Sequence, residues 1–445
     1  MSAHLSKKGK TLAITRRNFL LLTSISTAGL MAGCAVNPVT GKQQLMLISE
    51  DKEIQIDKEN SPHQFSADYG ETQDKELNRY IDQVGKKISP HTHRTRMPYS
   101  FRVVNATYVN AYAFPGGSIA CTRGILLSLE SEAALAALLG HELGHVNARH
   151  TARQMSKGFL TQAIVGGLSV LVGKESAGYG QLASQLGMIG AGALLASYSR
   201  DNEREADALG MEYMVRGGYS PKGMVSLINV LRGLSKYNPS AIELMFATHP
   251  MSEERYQDAV ENVRLKYSGK TTLPLYRERY MDKTARLRAL KGVIEEMQKG
   301  EKEMIRKKFA DAETHFNKAL KSAPGDYTAL VMMSTCQFVQ KRYAKVIKYA
   351  EQAQQVYPQE ARAYHLSGYA KIQTKDFDGA YQEFITYDKL LPGNPNTTFF
   401  KGYAQEGMTH IKEAANSYHR YLQAVQQGDK AVYAYRKLKE WGYYK

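Results

Sequence analysis

Cysteine is scarce in this chain, three residues among 445. Cys34 closes an export-type leader, while Cys121 and Cys336 fall in stretches that read as separate domains, so a structural disulfide is not expected. Long apolar runs are lacking as well. Phe19 to Ala32 is too short to span a bilayer as a mature helix, and the Gly-rich apolar stretch Phe159 to Val172 covers only about half a span. Negative charge is in deficit: 59 Lys and Arg stand against 43 Asp and Glu, a formal +16. That balance suits anionic membrane surfaces or acidic partners, but no nucleic-acid motif accompanies it, and nucleic-acid binding is not expected.

The leader explains part of the charge. Lys7, Lys8, Lys10, Arg16 and Arg17 precede the apolar run, the order of a signal peptide over residues 1–33. Its removal takes away those five positive charges and no negative ones, so +16 becomes +11. Leu30, Met31, Ala32, Gly33 and Cys34 resemble a bacterial lipoprotein cleavage site, with Met31 in place of the commoner Leu. Thr15 to Leu20 also resembles a twin-arginine export signal. The expectation is a periplasmic protein lipid-anchored through Cys34, most simply to the outer membrane.

The residues that carry chemistry begin with His141, Glu142, Leu143, Gly144 and His145, an HExxH pattern. Two histidines four apart share one face of a helix and can hold one zinc ion, and the glutamate between them can act on water. Ser131 is placed to cap the helix, Glu132 suits its first turn, and Leu135, Leu138, Leu139 and Val146 recur at helical spacing, which predicts a helix half buried in a core. Gly140 and Gly144 each cost a helix roughly 1 kcal/mol relative to Ala, so another backbone or the metal is expected to approach closely there.

A catalytic zinc needs a third protein ligand. The HExxHxxGxxH continuation is excluded: the glycine position is Ala148 and the last histidine position is Thr151, with His150 one residue out of register. Downstream, Asn202, Glu203, Arg204, Glu205, Ala206 and Asp207 lead into Leu209, Met211 and Val215, a second predicted helix. Glu203 and Asp207 lie one turn apart on it, so a carboxylate ligand and an aspartate bonded to the outer nitrogen of a ligand histidine would share a face.

These motifs, with Asn110 to Gly117 before the first helix and Thr248, His249 and Pro250 after the second, resemble the HtpX and CAAX-prenyl-protease type of zinc metallopeptidase, and within it the periplasmic BepA-like members. The resemblance covers about residues 35 to 265. It implies a gluzincin-type zinc endopeptidase with one zinc per chain, His141, His145 and Glu203 as ligands, and Asp207 behind them. Glu142 would be the base that takes a proton from water and passes it to the leaving amine. It also implies that His249 is either a stabiliser of the oxyanion or an inhibitory further ligand, with Arg255 as an accompanying polar anchor; where both face the site, His249 and Arg255 would stabilise the developing negative charge as catalytic groups. Phe101 to Val104 and Ser118 to Thr122 read as short strands around the Phe114 to Gly117 turn, either a plain hairpin or an edge that pairs with extended substrate. In membrane-embedded relatives the region Phe159 to Ala196 spans the bilayer; here it is expected to form a lid or hairpin over the cleft.

The C-terminal third repeats. Phe309, Tyr343, Phe377 and Ile411 stand 34 residues apart, as do Phe316, Ala350, Phe384 and Tyr418; Pro324, Pro358 and Pro392 keep the interval, and so do Ser334, Gly368 and Gly402. That period is the signature of tetratricopeptide repeats, about four helical hairpins stacked into a short solenoid. The expected whole is mainly α with a small β-sheet: signal peptide 1–33, metalloprotease domain 34–265, linker and bridging helix 266–300, and a repeat domain 301–445. The BepA-like resemblance implies protein substrates, misfolded or misassembled envelope proteins, with the repeats docking substrate or outer-membrane assembly machinery. The alternative is a chaperone or adaptor whose proteolysis is restrained.

Overall fold

The computed structural model describes residues 34–156, 198–237 and 245–444. The signal peptide and the expected lid over Phe159 to Ala196 lie outside the described residues. A two-stranded ribbon, β1 (Cys34–Val36) with β2 (Gln43–Leu45), leads into α1 (Glu50–Ala67) and α2 (Lys75–Ile88). A three-stranded sheet follows, from β3 (Ser100–Val104), β4 (Ala111–Ala113) and β5 (Ser118–Thr122), then α3 (Arg123–Ser128) and α4 (Glu132–Asn147).

The expected pair of strands does not form a hairpin. β3 and β5 run parallel, with Ser100 opposite Ser118 and Val104 opposite Thr122. The intervening chain supplies β4, which turns at Phe114 to Gly117 and pairs antiparallel with β5 as an edge strand. Ala111 and Ala113 face the main core while Tyr112 joins Phe65 and Phe114 on the other face, the alternation a strand imposes.

α4 begins as its sequence predicts: the Ser131 side chain accepts from Ala134 N–H, and Glu132 occupies the first turn. The half-buried expectation is corrected, because every residue of α4 is buried. The Leu stripe faces one side of the core, and the small side chains of Ala133, Ala134, Ala136 and Ala137 let neighbours close over the others. The two glycines meet a backbone, as expected. A Cβ on Gly140 would lie 2.8 Å from the Gly210 carbonyl oxygen, and one on Gly144 would lie 2.8 Å from that of Ala206. Gly210 and Ala206 belong to α5 (Arg200–Arg216), which starts from a capping box at Ser199. Two helices without intervening side chains thus cross at backbone contact, and this brings Glu203 onto the histidines of α4. α6 (Lys222–Tyr237) and α7 (Glu253–Leu265) complete the layer.

Beyond α8 (Arg277–Lys283) and α9 (Ala285–Ala289) the chain becomes a series of antiparallel hairpins: α10 (Lys291–Ile305) with α11 (Phe309–Ser322), α12 (Tyr327–Val339) with α13 (Tyr343–Val356), α14 (Arg362–Gln373) with α15 (Phe377–Leu390), and α16 (Pro395–Gly407) with α17 (Ile411–Ala424). α18 (Asp429–Glu440) packs on the last. Phe309, Tyr343, Phe377 and Ile411 each open a second helix, and Phe316, Ala350, Phe384 and Tyr418 are buried. Gly368 and Gly402 take the rings of Phe384 and Tyr418 against their backbones. Each hairpin turns on a left-handed residue, Lys307, Lys341, Lys375 or Thr409, again 34 apart.

The repeats pack directly on the first domain. Arg123 Nη1 pairs with Asp326 Oδ2 at 2.7 Å, and Arg362 Nη1 donates to the Ala67 carbonyl at 2.6 Å. Thr107 Oγ1 and its carbonyl bind Glu301 and Gln298, each at 2.6 Å. Cys121 and Cys336 are both free and buried. No helix among the described residues is long and apolar enough to cross a membrane.

Candidate metal centre

Three pieces of sequence meet at one buried point. α4 brings His141, Glu142 and His145; α5 brings Glu203 and Asp207; the turn ahead of α7 brings His249. The Nε2 atoms of His141 and His145 lie 3.1 Å apart. Glu203 Oε1 is 3.3 Å from His145 Nε2, and its Oε2 is 3.5 Å from His141 Nε2. His249 Nδ1 stands 3.3 Å from His141 Nε2 and 3.2 Å from Glu203 Oε1. The four ligand atoms lie within 4.8 Å of one another, and all four residues are buried.

This donor set fits a cation such as zinc. Imidazole nitrogen and carboxylate oxygen are zinc's usual ligands, and metal–ligand bonds of about 2.1 Å in a tetrahedron put ligand atoms about 3.4 Å apart, close to the 3.1 to 3.5 Å found here. The outer nitrogens leave the inner ones free: His141 Nδ1 is 2.8 Å from Asp207 Oδ1, and His145 Nδ1 is 2.9 Å from His150 Nδ1. A proton on each Nδ1 puts a lone pair on each Nε2, and two lone pairs this close call for a positive charge between them.

The electrostatics agree. Burial drives His145 well below its ordinary pKa, the neutral form a ligand needs. Burial also opposes protonation of His141, but Glu203 and Asp207 overrule it and raise that ring, so the carboxylates seek a cation at this point. Burial alone would lift Glu203, yet His249 and His141 hold its carboxyl well below the ordinary range. Glu142 goes the other way. It is pushed up by burial, and neither of its oxygens has a hydrogen-bond partner among the described residues.

Arg255 turns toward the carboxylates. Its Nε and Nη2 donate to Asp207 at 2.7 and 2.9 Å, and Nη1 lies 2.7 Å from Glu203 Oε2. Arg255 and His141 together hold Asp207 below its ordinary value despite its burial. Two neighbours escape the sequence reading. Tyr198 stacks on the His145 ring with centroids 3.8 Å apart, and His150 occupies its outer nitrogen. The only signal for His150 was the HExxHxxxxH spacing, set aside as one residue out of register for a metal ligand.

Residues 75–263 match Peptidase family M48. The chain is similar to the beta-barrel assembly-enhancing protease of Yersinia pestis, 30% identical over 188 residues that make up 41% of this chain and 38% of that protein. It is also similar to metalloprotease YcaL of Escherichia coli, 27% identical over 249 residues, 54% of this chain and 94% of that one. Metalloprotease LoiP of the same organism is 33% identical over 36% of this chain and 61% of its own length. The chain thus spans well under half the length of the Yersinia relative.

Proposed function

We propose that the protein, whose residues 75–263 match Peptidase family M48, is a zinc-dependent endopeptidase acting on proteins of the bacterial cell envelope. The observation that carries this reading is the meeting of His141, His145 and Glu203 around one point, with the Glu142 carboxylate beside them, free of hydrogen bonds among the described residues. His141, His145 and Glu203 would hold one zinc, which supplies a Lewis acid for the scissile carbonyl. Glu142 takes the proton of the attacking water and returns it to the leaving amine, a task suited to a carboxyl that burial makes more basic than usual. Asp207 fixes the His141 ring, and Arg255 neutralises the Asp207 and Glu203 carboxylates as an anchor rather than as an oxyanion donor. β4 is an edge strand near α4, and an extended substrate strand that paired with its main chain would place little demand on substrate sequence.

The substrate class and setting extend this reading. Similarity to a beta-barrel assembly-enhancing protease supports misassembled envelope proteins as substrates and assembly machinery as a partner for the helical repeats. The leader ending at Cys34 supports a lipid-anchored periplasmic protein, at the outer membrane. Glu142→Gln is the test: it should retain zinc, lose casein cleavage and co-purify with uncut envelope proteins. Full cellular function of that variant would instead favour a chaperone or adaptor role.

One observation favours restraint of the activity. His249 Nδ1 stands among the ligand atoms, where it would fill the coordination position that a substrate carbonyl or water needs. In this second reading the enzyme rests closed and His249 withdraws when substrate is engaged.

A further inference from the structure

Among the groups around the centre, His150 enters the chemistry described so far only as a neighbour of His145, and Glu205 has no role in it. After α4 the chain breaks at Arg149, whose φ of 57° is left-handed. That conformation is held in place: Arg149 Nε donates to Glu53 Oε1 at 3.1 Å, and Nη2 donates to the Ile48 carbonyl at 2.7 Å. The helix then resumes over residues 150–156. The break turns His150 back toward the metal helix, so that its Nδ1 lies 2.9 Å from His145 Nδ1 and its Nε2 lies 3.0 Å from Glu205 Oε2. His150 is fully buried, and the Glu205 side chain is a quarter exposed.

We propose that His150 and Glu205 are positioning residues that set the tautomer and ring orientation of His145 for metal binding. The proposal rests on His145 being a ligand. A ligating His145 keeps its Nε2 lone pair for the cation, so its proton sits on Nδ1 and is donated to His150 Nδ1. His150 must then accept at Nδ1 and carry its own proton on Nε2, and that proton is donated to the Glu205 carboxylate. Each ring nitrogen in the series has one role, and the order is fixed at its outer end by a group that only accepts. Tyr198 completes the hold by stacking on the His145 face, with its hydroxyl 2.8 Å from Thr151 Oγ1.

α5 therefore serves both histidines. Glu203 faces the cation, Asp207 receives His141 directly, and Glu205 receives His145 through His150. Three acidic residues at alternate positions of one helix turn carry three separate tasks, so Glu205 is more than a solvated charge on the open face.

The zinc dissociation constant, measured by competition with a chromophoric chelator on the full-length protein, tests this. His150→Ala removes the acceptor from His145 and should weaken zinc binding by about 10- to 100-fold. His150→Asn places its carbonyl oxygen where Nδ1 stands and should restore most of that loss, while His150→Gln, whose oxygen reaches the Nε2 position, should not. Glu205→Ala should weaken binding by about tenfold in the parent and have no added effect in His150→Asn, where the link to position 205 is already cut. The visible spectrum of the Co2+-loaded protein should shift for His150→Ala and return for His150→Asn. Equal weakening by Ala and Asn, or wild-type affinity in both His150→Ala and Glu205→Ala, overturns the proposal. Should His150→Ala fail to fold, the Asn, Gln and Glu205→Ala comparison decides. A parent protein that binds no zinc would instead strike at the metal centre itself.

Discussion

Gly144 of the metal helix lies against the backbone of Ala206, so close that a methyl group on it would come within 2.8 Å of the Ala206 carbonyl oxygen. That contact sets the distance between the two helices that carry the candidate ligands His141, His145 and Glu203. Gly144→Ala must push α5 outward and carry Glu203 with it. The expected result is a loss of about 1 to 3 kcal/mol in urea unfolding and a fall of about a hundredfold in hydrolysis. Gly292 provides the contrast, because nothing among the described residues lies within 4 Å of its Cβ position. Gly292→Ala should stabilise by about 0.4 to 1 kcal/mol and leave hydrolysis unchanged.

Arg255 is buried on two carboxylates. Arg255→Met leaves Asp207 and Glu203 without their shared cationic partner, so the zinc-free protein should lose about 3 to 5 kcal/mol of stability. Zinc should recover part of this loss, since the cation neutralises Glu203. Urea unfolding with and without zinc measures both quantities; a loss under about 1 kcal/mol would show that the anchor is unimportant.

His249 separates the two readings of the centre. If it rests on the cation as a restraint, His249→Ala should raise casein cleavage several-fold. A fall in cleavage would remove the restraint reading and place His249 with the groups that stabilise the oxyanion.

The join between the domains responds to acid. Burial would raise Asp326, but the Arg123 guanidinium outweighs it and holds the carboxyl below its ordinary value of 3.8. A carboxyl lowered in the folded state stabilises above the unfolded value and loses that contribution as pH falls through the folded one. Asp326→Asn should therefore be less stable than the parent by a constant amount above about pH 5, and the gap should close below pH 3.8. Urea midpoints of both proteins from acid to neutral pH give the comparison; a gap independent of pH would remove the ion pair from the join.

Parts of this architecture were legible in the residues. Ser131, the two glycines of α4 and the Glu203 to Asp207 spacing pointed to the two helices and to their close contact, because each has a local physical meaning. The 34-residue register marked the hairpins, and Gly300, one interval before Ser334, extends it to α10: a Cβ there would strike the Phe316 ring at 2.3 Å. β4 was missed because Ala111, Tyr112 and Ala113 are too few to show alternation. The full burial of α4 was missed because alanine is silent about which face is covered. His150 was missed for a different reason: its contact needs a left-handed Arg149, a conformation arginine does not announce and that Glu53 and Ile48 impose from another part of the chain.

The most direct measurement is casein hydrolysis by protein stripped with chelator and then titrated with zinc. A single zinc held by His141, His145 and Glu203 and served by Glu142 predicts no cleavage in the stripped protein. Activity should return in step with bound metal and saturate at one zinc per chain, and Glu142→Gln should bind the same zinc without cleaving. Cleavage that survives complete removal of the metal, or that persists in Glu142→Gln, would contradict it.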